Sequence, residues 1–289
     1  MVEVISNNES RMLLAYDQLV IATGSQLHHN QPLKSVGTYE ETIGAFHELQ
    51  QRIKNAKSIV VAGAGPTGVE TAGELAAAYA AKKEITLVVG GDRVLKRSSA
   101  LPSISQVVEQ DLRKLGVKLL YNVRVEAADT MSDSQTSLRL SNGEVLTTDL
   151  YIPLTGVQVN TSFVPDSLLD TTKSLILDKT MRIHGLTDVW GIGDVGNIET
   201  KQLTVTDAQI IHLAAALDKV LTEPSSLVQA YKPSNKPMIF ITLGKGYGTG
   251  QIGTWKLWSF LVRYVKGRSL FVDIARDYVG GERLRHASM

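Results

Sequence analysis

Along the chain, short runs of Val, Ile and Leu alternate with longer segments in which apolar residues recur every three or four positions. This alternation is typical of βαβ units and predicts an α/β fold with a parallel sheet. The predicted strands are Leu19–Ala22, Lys57–Ala62, Glu84–Val89, Val117–Val125, Leu150–Leu154, Thr187–Ile192 and Ser269–Ile274, with two more within Met238–Gly253. The predicted helices are Thr42–Lys54, a segment beginning at Pro66, Ile104–Leu115, Ala208–Leu221 and Trp255–Lys266.

Turn residues mark the ends of several elements. Pro66 suits the first position of a helix, because its missing N–H would have no helical partner there. Gly116 stands where a helix commonly ends in a left-handed glycine. Asn142-Gly143, between two short apolar runs, predicts a β-hairpin.

The composition narrows the range of functions. Lys+Arg 30 against Asp+Glu 29 leaves a formal net charge of +1, so the charge does not favour a nucleic-acid partner. There is no cysteine, which excludes disulfides, thiolate metal sites and a redox dithiol. The six histidines show no metal-ligand spacing, and no apolar run reaches the roughly 20 residues of a transmembrane helix. With no signal-like N-terminus, we expect a soluble protein of the cytoplasm.

One glycine-rich turn carries recognisable chemistry. The run GAGPTG at residues 63–68 matches the pattern GxGxxG between a predicted strand and a predicted helix, the context that a dinucleotide-binding fingerprint requires. In that motif Gly63 makes the tight turn, Gly65 lets the backbone approach a diphosphate, and Gly68 lets the helix pack against the strand. The diphosphate binds at the helix N-terminus, here beginning at Pro66. The alternative is a glycine-rich βα turn without a ligand.

The residues after the second strand of this unit bear on the choice of cofactor. The fingerprint expects an acidic residue there, which binds the ribose 2′-hydroxyl of NAD. The sequence instead has Val89-Gly90-Gly91, followed by Asp92 and Arg93. Because no acid repels a 2′-phosphate and Arg93 can attract one, we expect NADPH to be accepted at least as well as NADH. The alternatives are that Asp92 serves the 2′-hydroxyl and that Arg93 is a solvated loop charge.

Several separate motifs resemble those of one enzyme family. They are ATGS after YDQLVI, then VVAGAGPTGVETAGEL, the Thr155-Gly156 pair, GIGD, and the C-terminal run LGKGYGTGQIGTWKLWSFLVRYVKGRSLFVDIARDYVGG. Together they resemble the flavoprotein reductases with two dinucleotide domains, in their ferroptosis-suppressor-like or AIF-like branch. The resemblance implies an FAD-dependent oxidoreductase that passes a hydride from NAD(P)H to flavin and on to a quinone or another small acceptor.

The resemblance also implies a domain organisation. A Rossmann-like NAD(P)-binding domain at residues 32–157 interrupts a partial FAD-binding domain at residues 1–31 and 158–234, and residues 235–289 form a small C-terminal α+β segment. Members of the family begin with their own strand–GxGxxG–helix for FAD, whereas MVEVISNNESRMLLA precedes YDQLVIATGS here. We therefore expect this chain, expressed alone, to purify without stoichiometric FAD and to self-associate.

Further residues receive roles from the resemblance. The expected FAD contacts are Ala22, Thr23, Gly24, Gly193 and Asp194, and the expected NAD(P) contacts are Gly63, Gly65, Pro66 and Gly68, with Gly156 as an additional cofactor contact alongside Arg93, which is inferred from the loop after the second strand. Glu70 matches a carboxylate expected near the contact between nicotinamide and flavin. Lys266 matches a lysine expected near the flavin ring, with Phe271 close by. The plain alternatives are a polar helix-face residue for Glu70 and a helix C-terminal charge for Lys266.

Three classes of function fit these observations: the oxidoreductase, a nucleotide-binding module without turnover, and an interaction protein with exposed apolar surface. The lack of cysteine excludes the disulfide-reductase relatives, which need a thiol pair beside the flavin. The helix predicted over Trp255–Lys266 is apolar on most sides, so we expect it to pack against the flavin-binding residues. The alternative is an interfacial surface giving access to a membrane quinone, by peripheral contact at a cellular or mitochondrial membrane.

Overall fold

The computed structural model describes residues 1–6, 10–79, 82–131, 135–223, 225–234, 236–267 and 272–282. They form two compact units. The first unit takes in Met1–Ser25, Gln158–Ser234 and the described part of Gly280–Met289, and the second takes in Gln26–Val157 and Asn235–Val279. Most of the C-terminal segment therefore belongs to the same unit as the GAGPTG turn.

In this described part of the chain, regular elements follow one another closely. The strands are β1 (Val2–Ile5), β2 (Arg11–Leu14), β3 (Leu19–Ile21), β4 (Ser25–Leu27), β5 (Ser58–Ala62), β6 (Glu84–Val89), β7 (Lys118–Tyr121), β8 (Val125–Thr130), β9 (Thr136–Leu140), β10 (Val145–Thr148), β11 (Leu150–Pro153), β12 (Val157–Val159), β13 (Val189–Gly191), β14 (Met238–Leu243), β15 (Tyr247–Ile252) and β16 (Trp255–Leu257). The α-helices are α1 (Tyr39–Asn55), α2 (Pro66–Tyr79), α3 (Pro102–Lys114), α4 (Leu203–Thr222), α5 (Ser259–Val262) and α6 (Ala275–Val279).

The second unit is built on a four-stranded parallel sheet with the order β11-β5-β6-β7. Strands β5, β6 and β11 are mostly apolar and buried, which is typical of strands covered on both faces, and Val61, Leu87 and Ile152 are almost completely buried. The chain leaves β5 toward β6 and β7 and later returns to place β11 on the other side of β5, so the strand order reverses there. Ligands bind to open α/β sheets at such a switch point. The GAGPTG turn follows β5 directly, and the predicted α/β fold with a parallel sheet is confirmed.

Local sequence explains where the helices of this unit begin and end. The hydroxyl of Thr38 accepts a hydrogen bond from the backbone N–H of Glu41, and the Glu41 carboxylate accepts one from the N–H of Thr38, which is a complete capping box at the start of α1. After α3, Gly116 has a φ of +83°, the left-handed conformation that glycine adopts without strain. The predicted glycine stop is confirmed.

The strand predicted over Val117–Val125 is interrupted. β7 and β8 are separate strands, because Asn122 between them has a φ of +58°, which extended backbone does not tolerate. β8 joins β9 and β10 in a separate antiparallel sheet. Asn142-Gly143 connects β9 to β10, with Gly143 at a φ of +85°, so the predicted hairpin is confirmed.

One carboxylate joins the start of the parallel sheet to β11. Oδ2 of Asp149 accepts hydrogen bonds from the backbone N–H groups of Lys57 at 2.8 Å and Ser58 at 2.9 Å, while Oδ1 accepts one from the side chain of Gln135 at 2.8 Å. These donors, the N–H of Ser58 first, lower the pKa of Asp149 to about 2. Asp149 thus holds β5 in register at its first residue.

Replacing Asp149 by asparagine is expected to lower the free energy of unfolding at pH 7, because it removes the charge that these three hydrogen bonds stabilise. The loss should be only about 1 kcal/mol, since solvent screens most of the carboxylate. Its pKa is lower in the folded state than the ordinary value of 3.8, so its contribution is present above that value and is lost as the pH falls toward about 2. The difference between wild type and Asp149→Asn, measured by urea unfolding, should therefore shrink below pH 4. Asp129→Asn on β8 is the control, and a difference that does not depend on pH would contradict the prediction.

The C-terminal strands β14, β15 and β16 form an antiparallel sheet within the second unit. This sheet approaches α2 closely, because a Cβ on Gly73 would lie 2.5 Å from Cδ2 of Leu243. Only glycine at position 73 permits this approach without displacing β14. The contact attaches the C-terminal segment to the helix that follows the GAGPTG turn.

The prediction of a single helix over Trp255–Lys266 is wrong. Its first residues form β16, which pairs with β15, and they are followed by the short helix α5 and a π-helical turn at Arg263–Gly267. Strand pairing overrides the helical periodicity here, as tertiary contacts commonly override local preference. Trp255 and Trp258 are exposed, and Val262 is the buried side chain of α5.

The last predicted strand, Ser269–Ile274, falls partly outside the described residues. Residues 269–271 are not described, and Val272–Ile274 form a 3₁₀ turn that leads into α6, so the strand prediction is wrong for that part. The two strands predicted within Met238–Gly253 are confirmed as β14 and β15.

The first unit contains the parallel pair β3 and β13, which confirms the predicted strands at these positions. Its core includes Trp190, which is fully buried. The indole N–H of Trp190 donates a hydrogen bond to Oε1 of Gln18 at 2.7 Å, and the guanidinium of Arg182 lies 4.2 Å from the ring centroid. These contacts anchor β13 and thereby position the residues that follow it.

Candidate functional site

The GAGPTG turn passes close to the neighbouring strand β11. Gly63 has a φ of +112°, and a Cβ there would overlap the carbonyl group of Leu154. The N–H of Gly63 donates to the carbonyl of Val88 at 3.1 Å, and the N–H of Leu154 donates to the carbonyl of Ala62 at 2.7 Å. Glycine is therefore required at position 63 both by the backbone conformation and by the close approach of β11.

The other two glycines of the turn differ in what surrounds them. A Cβ on Gly68 would overlap the carbonyl oxygen of Gly63, so α2 can begin at Pro66 only with glycine at position 68. Around the Cβ position of Gly65, in contrast, no described atom outside residues 64–66 lies within 4 Å. A side chain at position 65 would fill the space in front of the first turn of α2, where free N–H groups favour a phosphate. These residues fit the diphosphate of a dinucleotide.

Two neighbouring segments complete this turn. The N–H of Leu95, in the loop after β6, donates to the carbonyl of Ala64 at 2.8 Å. On the other side, Gly156 follows β11 with a φ of +136°, and a Cβ on it would lie 3.8 Å from Cδ2 of His28. The Thr155-Gly156 pair therefore lies at the same end of the sheet as Gly63, at the switch point.

The loop after β6 carries charges of both signs. Asp92 forms an ion pair with Lys96 at 3.0 Å, and the hydrogen bond from Lys96 lowers the pKa of Asp92. Arg93 is half-buried, and its Nε is shielded from solvent without a hydrogen-bond partner among the described residues. The carboxylate of Asp92 thus has a cation beside it, while part of the Arg93 guanidinium has no acceptor.

A second cluster lies on α2 and the C-terminal segment. Oε1 of Glu70 forms an ion pair with Nζ of Lys266 at 2.5 Å, with side chains only 25% and 19% exposed. The same oxygen accepts hydrogen bonds from the N–H of Thr242 at 3.0 Å and from its hydroxyl at 3.3 Å. Nζ of Lys266 also donates to the carbonyl of Phe240 at 2.9 Å. The structure therefore brings together the two residues predicted to act near the redox centre.

A second carboxylate, Glu74, lies one helical turn after Glu70. Its Oε1 accepts a hydrogen bond from the N–H of Gly244 at 2.9 Å. Burial raises the pKa of Glu74, and the charge of Glu70 adds to this effect, whereas the hydrogen bond from Gly244 and the charge of Lys266 oppose it. Two carboxylates on one face of α2 thus hold the C-terminal sheet through its backbone and through Lys266.

The predicted flavin contacts lie together in the first unit. Ile192, after β13, donates its N–H to the carbonyl of Ile21 in β3, so the Ala22-Thr23-Gly24 and Gly193-Asp194 segments leave the same edge of the parallel pair. The hydroxyl of Ser25 donates to Oδ2 of Asp194 at 2.5 Å and joins the two segments directly. Ligands bind at this edge of parallel strands, so these residues fit part of a flavin site.

Further hydrogen bonds fix the Gly193-Asp194 turn. The N–H of Gly193 donates to Oε1 of Gln209 on α4 at 2.8 Å, and the ammonium of Lys201 donates to the carbonyl of Asp194 at 2.6 Å. Gln209 donates in turn to the carboxylate of Glu199 at 3.2 Å. The turn is therefore held by side chains from α4 and from the loop before it.

The predicted site residues form one group in each unit. The second unit contains Gly63, Gly65, Pro66, Gly68, Glu70, Arg93, Gly156 and Lys266, and the first unit contains Ala22, Thr23, Gly24, Gly193 and Asp194. Phe271 lies outside the described residues. The sequence interpretation missed Ser25, Glu74 and Thr242. Ser25 directly follows the ATG motif and Glu74 is in helical register with Glu70, whereas no sequence signal marks Thr242.

Comparison with known proteins agrees with this arrangement. The chain matches the family model described as pyridine nucleotide-disulphide oxidoreductase over residues 2–215. It is 38% identical over 271 residues to oxidoreductase ptaL of Pestalotiopsis fici, covering 94% of this chain and 72% of that protein. It is 28% identical over 269 residues to ferroptosis suppressor protein 1 of Homo sapiens, covering 90% and 70%.

Solved structures share the fold. A ferredoxin reductase from Rhodopseudomonas palustris aligns with a TM-score of 0.65 at 22% identity, over 86% of this chain and 60% of that protein. A water-forming NADH oxidase from Lactobacillus brevis aligns with a TM-score of 0.66 at 21% identity, over 85% and 54%. The chain thus spans only part of the length of both enzymes.

The fold, the GAGPTG turn and the adjacent Ala22-Thr23-Gly24 and Gly193-Asp194 segments define a dinucleotide-dependent oxidoreductase. The chain belongs to the pyridine nucleotide-disulphide oxidoreductase family, whose cofactors are FAD and NAD(P)H, and the predicted resemblance is confirmed. Among the described residues, no helix is long and apolar enough to cross a membrane.

Proposed function

We propose that the protein takes a hydride from NAD(P)H, by way of FAD, and passes electrons to a quinone-like acceptor. The observation that carries this proposal is the position of Glu70 on α2. This helix begins at the dinucleotide turn and, within its first turns, presents a carboxylate that is ion-paired with Lys266. Helix α2 thereby holds the proposed diphosphate site at the GAGPTG turn and the largely buried Glu70–Lys266 ion pair at a fixed separation.

Each group of residues has a distinct part in this proposal. The N–H groups of the GAGPTG turn bind the diphosphate of NAD(P)H and so orient the nicotinamide end. Lys266 supplies a positive charge near the redox centre, and Glu70 and the carbonyl of Phe240 keep its ammonium in one place. Thr23 and Asp194 contribute to binding the ribityl or diphosphate part of FAD. When bound, FAD supplies the hydride acceptor and the route for electrons to the second substrate.

The proposed acceptor class rests on the family resemblance and on one surface of the second unit. Trp258 and Phe260 stack at 5.8 Å between ring centroids, and with Tyr264 they are largely exposed. Lys256 and Arg263 accompany these aromatic side chains in the sequence. Exposed aromatic rings with basic neighbours suit the surface of a membrane, so we place the reaction at a membrane surface, by peripheral contact from the cytoplasm or within mitochondria, where a lipid-soluble quinone is found.

One assay tests the acceptor and the location together. The purified chain is supplied with excess FAD, and NADPH or NADH oxidation is followed with a short water-soluble quinone and with a long-chain quinone in anionic liposomes. We expect turnover with both, and co-sedimentation with the liposomes at low salt. Nucleotide binding without oxidation would indicate a nucleotide-binding module instead, and turnover without sedimentation would remove the membrane contact from the proposal.

A further inference from the structure

The end of β6 is where a dinucleotide-binding fold distinguishes NAD from NADP. In this chain the strand is followed by Gly90 and Gly91, so no carboxylate extends from the positions that usually bind the ribose 2′-hydroxyl. The nearest acid, Asp92, is paired with Lys96 at 3.0 Å. This end of the strand is adjacent to the dinucleotide turn, since Gly63 donates its N–H to the last but one residue of β6.

A basic side chain from another element lies across this position. A Cβ on Gly90 would be 3.4 Å from Cγ and 3.5 Å from Nε of Arg124, which is an exposed residue between β7 and β8. Arg124 is far from the motif in sequence, and the fingerprint does not include it. The side chain of Arg124 therefore lies beside Gly90, at the end of β6 where an acidic residue commonly binds the ribose.

The backbone holds Arg124 firmly at this place. The N–H of Asn122 donates to the carbonyl of Gly91 at 3.0 Å, and the N–H of Val123 donates to the carbonyl of Val89 at 3.3 Å. On its other side, the N–H of Arg124 donates to the hydroxyl of Ser141 at 3.0 Å, and the carbonyl of Arg124 accepts from the N–H of Ser141 at 2.9 Å. These bonds fix the main chain of Arg124 beside the end of β6.

We infer that Arg124, together with Arg93, binds the 2′-phosphate of NADPH and makes the chain select NADPH over NADH. A guanidinium binds phosphate oxygens through planar paired donors, and Arg93 has a shielded Nε without an acceptor among the described residues. This inference rests on the proposed nucleotide site at the GAGPTG turn. It adds a specificity-determining residue from outside the βαβ unit.

The experiment compares two flavin-independent ligands, ADP-ribose and 2′-phospho-ADP-ribose, by titration calorimetry on the full chain. Wild type should bind the phosphorylated ligand at least about tenfold more tightly. Arg124→Ala should weaken its binding by about tenfold to a hundredfold, the usual range for losing a charge-assisted hydrogen bond, and should change ADP-ribose binding by no more than twofold. Lys118→Ala, which removes an exposed cation at the other end of β7, is the matched control and should leave both affinities unchanged.

A second variant keeps Arg124 and places a negative charge beside it. Gly90→Asp fits the 3.4 Å contact and places a carboxylate beside the Arg124 side chain, so it should reverse the preference in favour of ADP-ribose. If ADP-ribose binds but Arg124→Ala weakens both ligands equally or neither, the inference is wrong and the nucleotide site stands. If wild type binds neither ligand, both the inference and the proposed nucleotide site are overturned.

Discussion

Replacing Gly65 by leucine is expected to weaken binding of ADP-ribose by about a hundredfold or more while the chain stays folded. The reason is geometric. No described atom outside residues 64–66 lies within 4 Å of the Cβ position of Gly65, and its φ lies outside the left-handed region, so a side chain fits the protein. The same side chain blocks the approach of the diphosphate to the first turn of α2. Titration calorimetry with ADP-ribose and thermal unfolding measure the two effects separately.

Two other glycines make this prediction specific. Gly44 on α1 also has open space around its Cβ position, so Gly44→Leu should alter neither nucleotide binding nor folding to a comparable extent. Gly68→Leu should instead destabilise the protein, because its Cβ overlaps the carbonyl of Gly63. If Gly65→Leu bound ADP-ribose like wild type, the diphosphate would not lie at this turn.

Replacing Lys266 by methionine is expected to lower the turnover of NAD(P)H by about a hundredfold, with a change of no more than about threefold in ADP-ribose affinity. Methionine keeps the length and the apolar stem of lysine but removes the charge. Glu70 then has a largely buried carboxylate without a cation, although both hydrogen bonds from Thr242 remain. The kcat and KM for NAD(P)H and the affinity for ADP-ribose are the measurements.

A double-mutant cycle separates catalysis from stability. With Glu70→Gln, Lys266→Met and the double variant, the coupling free energy of unfolding should be about 1–3 kcal/mol, because the pair is largely buried. Lys266→Arg retains the charge and should restore part of the turnover. If Lys266→Met lost stability but kept its kcat, the pair would be a structural link between α2 and the C-terminal sheet.

Much of the parallel sheet could be predicted from the sequence, because the patterns that indicate its strands are local. A buried strand such as β6 is a continuous apolar run, and its observed bounds, Glu84–Val89, agree with the prediction. Gly116 and Gly143 were identified because positive φ values at a helix end and in a hairpin favour glycine over all other residues. The interruption at Asn122 was missed, since asparagine enters the left-handed region without a distinctive pattern around it.

The segment over Trp255–Lys266 shows the opposite case. Its apolar residues recur with a spacing that allows a helix, but the first of them pair with β15 as β16. A short apolar run supports either structure, and the neighbouring strand decides between them. The aromatic side chains of Trp255 in β16 and of Trp258 after it are exposed rather than buried.

The dinucleotide turn was predictable from the sequence alone, because the positive φ of Gly63 and the contact of Gly68 with the carbonyl of Gly63 depend on backbone geometry within a few residues. The sequence also pointed to Glu70 and Lys266 separately, through the family resemblance. The folded structure, and not the sequence, shows that these two side chains form an ion pair and that Arg124 lies beside Gly90. Both contacts join residues that are distant in the chain, and they exist because α2 packs on β14 and because backbone hydrogen bonds tie the Asn122–Arg124 segment to the end of β6.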